Sequence, residues 1–170
     1  ARAPQWQTAV RAEIEAICGR EAFRADHVER MAITMQVLKE SMRLYPPAPV
    51  LTRVALREID LGGQSIKPGT LIIMPVYVIH RHRKLWRDPD TFDPTRFEPT
   101  RAAAYLRTQF MPFGFDQRTC IGMSFAMIEA AALLATFVRA ARFEWDGRHA
   151  PEPISRVTLR PGGGMPLLVS

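Results

Sequence analysis

The stretch PFGFDQRTCIGMSFAMIEA, residues 112–130, most constrains what this chain can become. It sets Cys120 between a glycine-punctuated loop and a long run of helix formers, with Arg118 two residues before it and Gly122 two after. At a helix start the first backbone N–H groups have no partner and the helix dipole presents partial positive charge. Together with the Arg118 cation, both favour a thiolate over a thiol. A thiolate is a metal ligand or a nucleophile. Gly122 leaves room for a large flat group to approach the backbone, where a side chain would block it.

Several chemistries compete for such a cysteine. Burial as a small hydrophobe is the common fate of a free thiol. A nucleophile needs a base, and His27, His80, His82 and His149 all lie outside the loop, although one of them can reach it through the fold. Neither Cys18 nor Cys120 has histidines at zinc spacing. What is left is a single thiolate on a metal whose other ligands come with a cofactor. Haem is of that kind, because the porphyrin supplies four nitrogens and the protein one axial ligand. The loop alone leaves the haem and structural readings both open.

Around this loop, the apolar pattern predicts a helix from Pro4 to Ile17, stopped at Gly19, and a second from His27 to Leu44. Asp26 and Glu29 offer the second helix an acidic capping box, and Pro46-Pro47 ends it. A small antiparallel sheet follows, with Gly62-Gly63 as a hairpin signal and Pro68-Gly69 as a turn before a buried strand, Leu71 to Met74. Residues 80–107, with Pro89, Pro94 and Pro99, read as ordered coil. The last helix spans Ile121 to Ala141, and the tail holds turns and a short strand pair.

Bulk properties narrow the rest. The net charge of +6 comes almost wholly from arginine, which reads first as a solvated surface and second as a face for an acidic partner. No basic run carries interleaved aromatics, so nucleic acid is not an expected partner. Two cysteines make no disulfide framework, which points to a reducing, cytoplasmic setting. No unbroken apolar run is long enough to cross a bilayer, so no membrane segment is expected. The chain opens in the middle of a helical pattern and reads as part of something longer.

These residues resemble the cytochrome P450 family, the haem-thiolate monooxygenases. The family's haem-binding signature is Phe-x-x-Gly-x-Arg-x-Cys-x-Gly, and Phe113, Arg118, Cys120 and Gly122 stand in register with it. One position departs: Asp116 occupies the place of the signature glycine. Aspartate tolerates a left-handed backbone, but it brings a negative charge toward an anionic ligand. Upstream, LKESMR offers Glu40 and Arg43 on one helical face, and FDPTRFEP offers Arg96. By spacing alone Glu40 and Arg43 could be a surface pair worth roughly a few tenths of a kcal/mol. The resemblance implies instead a buried structural cluster of Glu40, Arg43 and Arg96.

The resemblance also implies a fold that is mainly α with a small antiparallel β-sheet (α+β). Residues 1–170 would form the C-terminal part of one haem-binding monooxygenase domain, without its N-terminal helices. The implied cofactor is haem (heme, iron protoporphyrin IX), with Cys120 as axial ligand to the metal and catalytic residue. Phe113, Gly114, Arg118, Gly122, Ala126 and Arg53 are the implied cofactor-binding residues, Arg118 and Arg53 as partners of the haem propionates. Residues 50–53 and the turn at 163–166 resemble substrate-facing segments, which implies a hydrophobic small-molecule substrate. The implied activity is O2 activation and hydroxylation, fed by an electron-donor protein (ferredoxin, flavodoxin or a reductase domain) docked on Arg101, Arg107 and Arg118. Two alternatives stay open: a haem-thiolate peroxygenase or isomerase, and a truncated, non-catalytic piece that binds no haem.

Overall fold

Three long helices pack against one another in a computed structural model of the chain, and the strands form short antiparallel pairs. The structure describes residues 1–102 and 109–170. Helix α1, Pro4–Cys18, takes proline in its first turn and stops at Gly19, whose φ of 54° only glycine adopts freely. Its buried residues Val10, Ile14 and Cys18 recur every fourth position and make one stripe. That stripe meets Met31 and the Ala135 and Val138 side chains of α5, Met123–Ala140, to form the core.

Helix α2 runs Ala32–Leu44, five residues short of the expected start. The residues before it, Ala25–Arg30, form a 3-10 turn instead. Local polar groups explain the difference. Asp26 is held by Arg24 at 2.9 Å, and the His27 ring accepts the Arg24 N–H at 3.3 Å and lies 3.2 Å from Cys18 Sγ. The expected capping box at Asp26 and Glu29 therefore does not start the helix. Its role passes to Glu13 on α1, which accepts the Ile33 and Thr34 N–H groups at 2.7 and 2.8 Å and the Thr34 hydroxyl at 2.7 Å.

After Pro46, β1 (Leu51–Val54) pairs antiparallel with β4 (Leu71–Met74). Between them β2 (Ile59–Leu61) and β3 (Gln64–Ile66) form a hairpin through Gly62-Gly63, both at positive φ as a two-residue turn requires. Strand β4 is not the buried strand expected: Leu71 and Ile73 are 56% and 59% exposed, because among the described residues β4 pairs only with β1 and one face stays open. Short helices α3 (Val76–Ile79) and α4 (Pro99–Ala102) punctuate the proline-rich segment. The tail holds one strand pair more than expected: β5 (Phe143–Trp145) with β8 (Leu167–Val169), and β6 (Pro153–Ser155) with β7 (Leu159–Pro161).

Helix α5 bears on the expected absence of a membrane segment. By length and composition it is apolar enough to cross a membrane. Glu129 and Arg139 interrupt the run, so no unbroken apolar stretch marks it, yet two charges do not offset its aliphatic and aromatic residues. The same properties describe a core helix.

Candidate functional site

The Cys120 loop is shaped by backbone groups. Gly114 has φ 79°, and a Cβ there would come within 3.2 Å of the Arg118 carbonyl oxygen. Asp116 follows with φ 54°, one of two described non-glycine residues at positive φ, and opens a 3-10 turn through Arg118. The Thr119 N–H and hydroxyl both donate to the Asp116 carbonyl, at 3.0 and 2.8 Å. The Cys120 N–H then donates to the Phe113 carbonyl at 2.8 Å and closes the loop. The signature glycine's backbone shape is thus present with aspartate in its place.

Closure leaves the Cys120 side chain exposed. A Cβ on Gly122 would stand 3.8 Å from Sγ, so the glycine keeps one flank of the sulfur clear. Arg118 is exposed and makes no hydrogen bond or ion pair with a described residue. Ile121 and Phe125 are fully and 72% exposed beside the sulfur in sequence. An accessible soft donor, an open flank, a guanidinium with no partner among the described residues and uncovered apolar side chains together fit a flat, largely apolar, anionic group with one open metal position. The fit is a matter of chemistry and access. A cavity of about 540 Å³ beneath the loop, between Met35, Met42, Phe110 and Met127, is lined by Phe113 and Gly114 but by neither Cys120 nor Arg118.

A buried ionic cluster lies on α2. Glu40, Arg43 and Arg96 are 0%, 0% and 3% exposed. Arg43 grips Glu40 with two bonds, Nε to Oε2 at 2.7 Å and Nη2 to Oε1 at 2.8 Å. Arg96 Nε reaches Glu40 Oε1 at 3.4 Å, and the Asp93 N–H adds a bond to the same oxygen at 2.9 Å. Two guanidiniums outweigh one carboxylate. Backbone carbonyls take up the surplus: His80 and Pro89 at 2.7 Å and Thr91 at 3.1 Å around Arg43, and Asp88 at 2.8 Å from Arg96. Residues 80–97 are thereby wound around α2, which is why a segment without long helices is ordered.

The remaining expected site residues scatter. Ala126 is half-buried in the first turn of α5 and donates its N–H to the Gly122 carbonyl at 2.9 Å. Phe113 is half-buried in the loop. The Arg53 side chain on β1 donates to its neighbour's carbonyl, Thr52 O at 2.8 Å, and no described hydrogen bond or ion pair joins it to the loop. Arg101 donates to Thr95 Oγ1 at 2.5 Å, and Arg107 lies outside the described residues. Of the four histidines, His80 is the one bonded to the residue that leads into the loop, a tie that the sequence did not single out. His80 is fully buried, its ring meets the Met111 N–H at 3.0 Å, and it stacks on Phe110 at 5.5 Å between centroids.

Comparison with known proteins points one way. Residues 1–167 match the family described as Cytochrome P450. The chain is 38% identical over 170 residues to "Cytochrome P450 714C3" of Oryza sativa subsp. japonica, covering 98% of this chain and 33% of that one. It is 38% identical to the "Cytokinin hydroxylase" of Arabidopsis thaliana and 37% identical to the "Cyclooctatin synthase" of Streptomyces melanosporofaciens, in each case over 98% of this chain and 32% and 34% of the relative. The crystal structure of the cytochrome P450DA heme domain superposes with a TM-score of 0.90 at 25% identity, over 99% of this chain and 37% of that one. The chain thus spans about a third of the length of the curated relatives it matches.

Proposed function

Because the chain belongs to the cytochrome P450 family, we propose that it forms the thiolate side of a haem monooxygenase centre acting on an apolar organic substrate. The observation that carries this reading is the exposed Cys120 sulfur, presented by a loop closed through the Cys120 N–H and the Phe113 carbonyl. Haem, when bound, supplies the iron at which oxygen is activated, and the cytochromes P450 are the standing example of a cysteine thiolate pushing electron density toward O–O cleavage.

The chain's own residues then have separate tasks. Cys120 would hold the haem iron through its thiolate. Gly122 and Gly114 would let the backbone come close without obstruction, and Phe113 and Ala126 would offer apolar surface to the ring. Arg118 and Arg53 would pair with the propionates, for which a planar fork is suited. Glu40, Arg43 and Arg96 hold residues 80–97 against α2, a structural task. The two electrons come from a protein donor, and the exposed cations Arg118 and Arg101 give it an electropositive face.

Spectra of the reduced protein under carbon monoxide, for the wild type and Cys120→Ser, test the reading. The wild type is expected to show the band that gives the family its name, and the serine variant to lose it while keeping its far-ultraviolet circular dichroism. A wild type that takes up no haem overturns the proposal.

A further inference from the structure

We propose that His80 is a positioning residue for the cysteine loop: as a neutral imidazole it ties Met111, the residue leading into the loop, to the last turn of α2. What the loop positions rests on the haem-thiolate reading, but the tie itself does not. The tautomer follows from the partners. Nδ1 lies 3.2 Å from the Arg43 carbonyl oxygen, which can only accept, so Nδ1 carries the hydrogen. Nε2 receives the Met111 N–H at 3.0 Å, so it must offer a lone pair. One ring thus satisfies an orphan carbonyl at a helix end and an amide of the loop.

The bond is one link in a continuous path. Met111 O accepts the Gly114 N–H at 3.1 Å, and Phe113 O accepts the Cys120 N–H at 2.8 Å. His80 itself is fixed on the other side, where its own carbonyl accepts Arg43 Nη1 at 2.7 Å and its N–H bonds Val76 O at 2.8 Å. Phe110 stacks on one face and Trp86 meets the edge at 6.3 Å, so the ring has no second orientation with equal partners.

The same geometry makes the tie sensitive to acid. Adding a proton to Nε2 would point a donor at the Met111 N–H and break the bond. The charges facing the ring are Arg43 on α2, with Glu40 behind it, and the adjacent Arg81; Phe110, Met111 and Trp86 bring none. Burial, aided by the two arginines, lowers the ring to about 4, and the backbone bond at Arg43 opposes this only in part. At neutral pH the tie is therefore in place.

Hydrogen-exchange protection of the Met111 amide in the purified full chain reads the tie directly, whether or not haem is bound. His80→Phe keeps the volume and the stack on Phe110 but removes both bonds; protection is expected to fall about tenfold or more with circular dichroism unchanged. His80→Gln can donate and accept through one amide and does not titrate. It should keep neutral-pH protection and show no acid step, whereas the wild type loses protection as pH falls toward about 4. Full Met111 protection in a folded His80→Phe overturns the proposal. Should that variant not fold, parallel acid loss in wild type and His80→Gln overturns it, and divergence supports it. A haem-free wild type whose Met111 protection still follows His80 would refute the monooxygenase reading alone.

Discussion

Asp116 sits at φ 54°, a backbone shape that costs most residues about 1–2 kcal/mol and aspartate less. Asp116→Gly is therefore expected to hold or raise stability by up to about 1 kcal/mol, and Asp116→Val to lower it by about 1–2 kcal/mol, read from urea midpoints. A valine variant as stable as wild type would show that the turn does not hold this shape. Glu40 behaves differently because it is fully buried between two arginines. Glu40→Ala strands both cations, and a loss of roughly 3–5 kcal/mol is expected, seen as failure to recover soluble folded protein or as a large midpoint shift. At this scale much was legible. Glu40, Arg43 and Arg96 stand in motifs from which the family resemblance implied a buried cluster, and they are buried together. His80 stands in no such motif, and both its ring partners are backbone groups on segments far apart in the chain, Arg43 and Met111.

Among the elements, α1 and α5 began and ended close to where proline, glycine and apolar spacing place them, because those signals are local. The start of α2 was not legible for the opposite reason. Its first N–H groups are satisfied by Glu13, which lies 20 and 21 residues back in sequence on another helix. Removing that carboxylate leaves buried donors unpaired beside the positive end of the helix. Glu13→Ala should cost about 1–2 kcal/mol in thermal or urea unfolding, with Glu13→Gln recovering part of it. Equal stability of all three proteins would place the helix start under other control. Strand β4 was misjudged for a related reason: an apolar run reports preference for burial, and the partner that would provide it must come from elsewhere.

The whole molecule should respond to acid through His80. Its folded value lies near 4 against an ordinary 6.5, so between those limits the unfolded chain binds a proton that the folded chain refuses. Stability is full above about 6.5 and falls as pH drops through that window, levelling below it. Urea midpoints from pH 7.5 to 3.5 for wild type and His80→Gln check this; the variant should lack that component of the decline, and identical curves would remove His80 as its source. The central claim is that Cys120 presents a thiolate to haem iron, and the reduced carbon-monoxide spectrum of the purified protein tests it most directly. The account predicts the family's band in wild type and its loss in Cys120→Ser. A Cys120→Ser protein with an unchanged band would contradict it.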